Sequence, residues 1–252
     1  MTLTDAGGLE PSSPDALAEV LAGVKCVMFD FDGPLCPLFE DRPSDGLART
    51  FHGILADAGL ESAELSGLAD PYRMLRKLPY GFPGRRFDAD DLLRSVASVF
   101  AEHLTLEEME RVSRVEPTEG AVDFVRALHD RGMTLAIATN NSPEPVQTYL
   151  KSHGIERMFA GRIYGRGQDP RRMKPHPDTV RRALAAVAPY GITRQECVLL
   201  GDTPGDLAAA RGAGVRFIGY CRSQAKAVRL TTAGTRYWVA SLDRLSEAFQ
   251  EK

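Results

Sequence analysis

The chain predicts an α/β protein: a parallel sheet with helices on both faces, interrupted after its first strand by an all-helical insertion. Three features of the sequence lead there. Short apolar runs alternate with helix-spaced segments from residue 117 onward. One further apolar run, at 24–29, stands apart from the rest. Between about 40 and 115 there is helical spacing and no convincing strand.

Residues 1–14 are rich in Gly, Pro, Ser and Asp and read as a mobile tail, with a short helix possible over 15–21. Val24 to Phe29 is a buried strand that stops at Asp30-Phe31-Asp32-Gly33-Pro34. Helical spacing follows over 44–58, 61–78 and 88–112, the last with Leu92, Leu93, Val96, Val99, Phe100 and Leu104 at intervals of three and four. Helix and strand then alternate. A helix at 119–131 closes on Gly132, and a strand at 134–138 ends at Thr139-Asn140. A helix at 145–152 precedes a short strand at 162–164, and a helix at 177–187 precedes a strand at 197–200 ending at Gly201-Asp202. A helix at 206–211, strands at 215–219 and 236–239, and a helix at 242–249 complete the chain. The domain division is thus a tail with a short helix (1–22), a core from 23–37 and 117–252, and a helical cap over 38–116.

Composition is that of an ordinary globular protein: 252 residues, 43% hydrophobic, 26% charged. A net charge of −3 argues against a dedicated nucleic-acid binder. No apolar run reaches the roughly 20 residues a membrane helix needs. The N-terminus has no basic segment followed by an apolar stretch, so no secretory leader is expected. Cys26, Cys36, Cys197 and Cys221 are scattered without metal-site spacing, as in a reduced, cytoplasmic protein.

Four polar clusters fall where strands end or helices begin: Asp30/Asp32, Thr139/Asn140, Lys174 and Asp202/Asp206. In an open parallel sheet, ligands bind outside the carboxyl ends of the strands, so segments distant in sequence converge there. Each cluster alone has an ordinary explanation: a turn, a strand end, a solvated lysine, a helix cap. Together they are complementary. Two aspartates at one strand end repel each other and need a cation, a proton or hydrogen bonds to coexist. With the acidic pair at 202 and 206 they offer hard oxygen ligands suited to Mg²⁺. Lys174 adds a positive charge, and Thr139 and Asn140 neutral donors, so the set could hold a phosphoryl group.

The order Asp30-Phe31-Asp32-Gly33, Thr139-Asn140, Lys174-Pro175, Gly201-Asp202-Thr203-Pro204-Gly205-Asp206 resembles the four motifs of the haloacid dehalogenase-like superfamily, over about 24–239. The resemblance implies a Rossmann-like core and a C1-type helical cap like that of phosphoglycolate phosphatases. It implies a Mg²⁺-dependent phosphatase acting on a small phosphorylated metabolite, as a monomer or homodimer; from the charge and the lack of a long apolar run, no nucleic-acid or membrane partner is expected. Asp30 would be the nucleophile that becomes an aspartyl-phosphate. Asp32 would be the acid and base, with its carbonyl on the metal. Thr139 and Asn140 would bond the phosphoryl group and Lys174 would neutralise it. Asp202 would ligate Mg²⁺ beside Asp30, and Asp206 would hold metal waters or Lys174. A phosphomutase, a phosphonate hydrolase using Lys77, or a non-catalytic metabolite-binding member would share the fold.

Pro34 departs from the usual Thr or Val and is expected to stiffen the hinge to the cap. The basic run Arg162, Arg166, Arg171, Arg172, Arg181, Arg182 reads as a solvated face, with Arg171 and Arg172 the candidates for a second anionic substrate group. Arg76, Lys77 and Arg85 flank a Gly/Pro loop at 79–84 that could close over substrate.

Overall fold

The computed structural model describes residues 9–39 and 45–250. Six strands form one sheet: β1 (Cys26–Phe29), β2 (Thr134–Ala138), β3 (Ile163–Tyr164), β4 (Cys197–Gly201), β5 (Arg216–Tyr220) and β6 (Trp238–Val239). Their order across the sheet is β3-β2-β1-β4-β5-β6, and every neighbouring pair is parallel.

The strands are short and apolar because both faces are covered, and side-chain alternation sorts them into two cores. Val27, Phe29, Leu135, Ile137, Val198 and Leu200 point to one face. Cys26, Met28, Ala136, Ala138, Cys197 and Leu199 point to the other. The first face is covered by α1 (Pro14–Leu21), α6 (Ala121–Asp130), α7 (Pro143–Ser152), α8 (Glu156–Phe159) and α12 (Leu242–Gln250). The second is covered by α9 (Asp178–Val187), α10 (Pro204–Ala213) and α11 (Gln224–Thr232).

The inserted block consists of α2 (Asp45–Asp57), α3 (Ala63–Ser66), α4 (Pro71–Lys77) and α5 (Asp91–Val112). It has its own core, in which Phe51 stacks on Phe100 with ring centroids 4.1 Å apart. Packing does not divide the chain cleanly at 38 and 116. Leu38 and Val112 lie in the core of the sheet's first face, while Met173, from the loop before α9, is buried in the core of the helical block.

Some elements differ from expectation. The helix expected over 61–78 is two helices, broken at Gly67 and restarted at Pro71 behind the Asp70 cap. The helix expected from 88 starts at Asp91, where the Asp90 side chain accepts from Leu93 N at 3.0 Å. The first residue of the segment 44–58 and the tail residues 1–8 lie outside the described residues. The rest of the expected tail is ordered against the sheet edge: Ser12 N donates to Trp238 O, and Trp238 N donates to Ser12 Oγ, both at 2.9 Å. Helix α11 was not foreseen; only Ala227 and Leu230 on it are buried, too few to make a periodic signal. No described helix is long and apolar enough to cross a membrane, and all four cysteines are buried and free.

Candidate functional site

The sheet builds outward in both directions from β1 and β4. That pair is where strand order reverses and where a crevice opens at the carboxyl ends. Asp30 follows β1 directly, and Asp202 follows β4. Asp30 N donates to Leu200 O at 2.8 Å, so the two strand ends are still in register at the point where they stop.

Lys174 reaches in from the loop before α9. Its Nζ lies 2.8 Å from Asp30 Oδ1 and 2.5 Å from Asp206 Oδ1. It is 3% exposed, so the pair energies are not spent against bulk water. Burial alone would lower the Lys174 pKa, but Asp206 and Asp30 outweigh it and raise it. Lys174 therefore stays charged.

Asp206 serves the helix and the lysine at once. Its Oδ2 accepts from Thr203 N at 2.9 Å, Thr203 Oγ1 at 2.6 Å and Asp202 N at 3.2 Å, while Thr203 Oγ1 accepts from Asp206 N. This is a capping box at the start of α10. Burial would raise its pKa, but Lys174 and the Thr203 hydrogen bonds hold it below the usual carboxylate range.

Asp202 is 6% exposed, and its two oxygens differ. Oδ2 accepts from Lys226 Nζ on α11, whereas Oδ1 is buried with no hydrogen-bond partner. Burial raises the Asp202 pKa and Lys226 opposes it. Ligand oxygens of Asp30, Asp202 and Asp206 all lie within 4.8 Å of one another. A buried carboxylate oxygen left without a partner costs free energy unless something completes it. A hard divalent cation fits this donor set. With every Asp206 oxygen already committed, Asp30 and Asp202 are the pair that could ligate it directly.

Gly33 permits the approach. It has φ of +110°, and a Cβ there would lie 2.5 Å from Asp202 Oδ2. Gly201 has the same function against Asp206, whose Cβ would be 2.6 Å from an added methyl. Pro34, expected to stiffen the hinge, is buried in a turn already held by hydrogen bonds. Gly33 N donates to Cys36 O at 2.7 Å, Cys36 N to Phe31 O at 3.2 Å, and Thr118 Oγ1 to Gly33 O at 2.7 Å.

Asp32 is partly buried beside this group, and Phe39 N donates to its Oδ1 at 3.3 Å. Burial, then Asp202 and Asp30, push its pKa up to about 8. Burial and Asp206 push Asp30 up to about 7, with Lys174 opposing. Phe31 N also donates to Asp30 Oδ1, at 2.7 Å.

Thr139 is fully buried, and its Oγ1 donates to Asn141 Oδ1 at 2.7 Å. The Asn140 side chain is committed at both ends to the backbone of one residue: it accepts from Lys174 N at 2.7 Å and donates to Lys174 O at 3.1 Å. Its amide thus places Lys174, a use that the spacing of the motifs could not reveal. Lys226, Asn141, Glu108 and Arg166 also went unseen as site residues. Arg166, read as part of a solvated face, is 8% exposed and lies 2.5 Å from the fully buried Glu108. Arg171 is tied instead to Asp169 and to Asp88 of the helical block. Arg76 donates to Lys174 O at 2.9 Å and, with Lys77, Tyr80 and Pro175, lines a cavity of about 420 Å³.

The sequence profile of the haloacid dehalogenase-like hydrolase family matches residues 24–214. A phosphoglycolate phosphatase of Rhodospirillum rubrum is 29% identical over 208 residues, 79% of this chain and 81% of that protein. Pyrophosphatase PpaX of Halalkalibacterium halodurans is 32% identical over 108 residues, 42% of this chain; the match spans about half, 48%, of that protein's length. Among solved structures, one described as a predicted phosphatase from Clostridium acetobutylicum superposes with a TM-score of 0.64 at 19% identity, covering 91% of this chain and 99% of that one. That likeness concerns the fold alone. A HAD family hydrolase from Deinococcus radiodurans, solved with bound phosphate and sodium, is 26% identical with a TM-score of 0.53, covering 91% and 96%. The profile match opens before β1 and closes only at Gly214, beyond α10, and so takes in both arms of the carboxylate cluster: this chain belongs to the haloacid dehalogenase-like hydrolase family.

Proposed function

We propose that the protein is a Mg²⁺-dependent phosphatase that cleaves a small phosphomonoester through an aspartyl-phosphate at Asp30. The observation that carries this is the unpartnered Asp202 Oδ1, buried beside an Asp30 that is paired to a charged, buried Lys174. Asp30 and Asp202 would hold the cation, and Asp32 would offer its backbone carbonyl. When bound, the ion supplies positive charge to the phosphoryl oxygens and to Asp30.

The chain's own groups divide the remaining work. Lys174 draws the phosphoryl group to Asp30 and offsets the repulsion between two anions. Asp206 holds Lys174 in place from behind. Phe31 N and Lys174 Nζ both bond Asp30 Oδ1, and of the two Asp30 oxygens one would face the cation and the other phosphorus. Asp32, whose proton affinity is raised above the usual carboxylate range first of all by burial, would give its proton to the leaving alcohol oxygen. It then takes a proton from the water that cleaves the aspartyl-phosphate. The loop from Thr139 to Ser142, tied to the Lys174 backbone through the Asn140 amide, would line the other side of the phosphoryl group.

A soluble ester fits this site better than a nucleic acid, given a net charge of −3. Phosphoglycolate and pyrophosphate enter the candidate list through the names of the relatives. The test is phosphate release from a panel of small esters including these two, with Mg²⁺ or with EDTA, for wild type and Asp30→Asn. Metal-dependent release that drops at least about 10³-fold in Asp30→Asn is expected. Turnover that survives either EDTA or the substitution would refute the reading.

A further inference from the structure

Helix α5 is one 22-residue helix whose ends belong to different hydrophobic bodies. Leu93, Val96, Phe100 and Leu104 pack inside the helical block, whereas Met109 and Val112 pack against the core of the sheet. Glu108 sits at the crossing, fully buried. Its Oε1 accepts from Arg166 Nη1 at 2.5 Å, Tyr72 Oη at 2.7 Å and Asn141 Nδ2 at 3.2 Å; its Oε2 accepts from Ser142 N at 3.0 Å. Arg166, on the loop after β3, donates in addition to Asn140 O at 3.2 Å, Ala101 O at 3.1 Å and Thr105 Oγ1 at 2.6 Å.

The consequence is a loop gripped at each of its four residues. Glu108 takes Ser142 N, Glu108 and Tyr72 take the Asn141 amide, Arg166 takes Asn140 O, and Asn141 Oδ1 takes the Thr139 hydroxyl proton. Glu108 and Tyr72 stand on helices of the inserted block, and Arg166 bonds back to the backbone of α5. A buried ion pair is a poor source of stability, since apolar residues of similar volume do as well or better. What apolar packing cannot supply is direction, and every bond of this network is spent on orienting the 139–142 loop or on fixing α5 above it.

We propose that Glu108 and Arg166 are positioning residues that couple the seating of the helical block to the shape of the 139–142 loop, so that the loop presents its phosphate-binding form only while α5 is docked. This rests on the reading of that loop as part of a phosphate site. Affinity for the phosphoryl group thereby depends on a cap residue that never touches it.

The test uses the full chain carrying Glu108→Gln together with Arg166→Met, which removes both charges at once and strands neither. Glu108→Gln alone must turn its amide N–H₂ toward donors on one side or the other, so it serves as a second variant. The double variant should fold with backbone amide exchange in strands 26–29 and 197–201 as in wild type. Exchange at Asn141 and Ser142 should be at least about tenfold faster. Affinity for inorganic phosphate with Mg²⁺, by calorimetry, should fall about tenfold, and KM for the best ester should rise more than kcat falls. Wild-type phosphate affinity in the double variant overturns the proposal, as does exchange that speeds up equally in the strands. If wild type neither binds phosphate nor releases it from any ester, the phosphatase reading fails. Exchange at Asn141 and Ser142 then decides the coupling alone: rates unchanged in the double variant overturn it.

Discussion

Asp202 Oδ2 and Lys226 Nζ form a contact that no motif predicted, while Asp202 Oδ1 is left buried without a partner. Removing one partner of a buried pair leaves the other charge uncompensated, at about 3 kcal/mol or more. Lys226→Met should therefore lower Tm in EDTA by roughly 6 °C or more, and saturating Mg²⁺ should raise Tm further in this variant than in wild type; equal shifts in a thermal-melt series would remove Lys226 from the site. Asp32 contributes to stability with the opposite sign. Its proton affinity rises from the unfolded reference of about 3.9 to about 8 in the fold. The folded state binds more protons across that window, so stability is lost as pH climbs from about 4 to 8. Asp32→Asn should melt above metal-free wild type at pH 8, by roughly 5 °C or more, and alongside it at pH 4, as Tm measured at both pH values would show. The aspartates and Lys174 were legible only as a set, from four polar clusters at strand ends and helix starts in the order that resembles the family's motifs. Lys226 was not, because a lysine on an amphipathic surface helix looks the same whether it faces water or a carboxylate.

At the scale of elements, α10 shows one stretch meeting two demands. Thr203, Pro204 and Asp206 would start a helix in any protein, and here Asp206 also anchors Lys174. Both readings of that segment hold together. The loop before α9 works similarly. Met173 is 1% exposed and buried in the core of the helical block, while the next residue reaches Asp30. Docking of the block and placement of the lysine thus fall on adjacent residues, and the backbone of Lys174 is held by Asn140 from the core and by Arg76 from the block. Met173→Ala should cost about 2–5 kcal/mol and speed proteolytic cleavage within residues 45–112 before the core is cut; core and block cleaved together would contradict it. Strands with two buried faces were readable as apolar runs. The short helix α8 was not, since four residues carry too little periodicity, nor was the break at Gly67 that divides α3 from α4.

For the whole molecule, the sheet order places two strand ends side by side that are 171 positions apart in sequence, Phe29 and Leu200. The reversal of order at β1 and β4 opens the crevice, and the block inserted between β1 and β2 reaches the lysine loop through Arg76, which bonds Lys174 O, and through Met173, which is buried in the block's core. With mixed surface charge and a small acid-lined site, phosphate release from a small ester should change little between 50 and 200 mM salt, whereas a nucleic-acid substrate would lose affinity by about 10³-fold or more; a steep salt slope in the assay would point to a polyanionic partner. The layered α/β class, the insertion of a helical block and the four polar clusters can be read along the chain, because periodicity and strand-end chemistry are local properties. That Asn140 serves Lys174, that Asp206 spends both oxygens inward, and that Glu108 and Arg166 grip the 139–142 loop emerges only after folding. Those roles depend on which distant groups meet after folding and on which of them lose their water. Burial of that kind turns an ordinary surface residue type into a partnered one, and one-dimensional spacing does not record it.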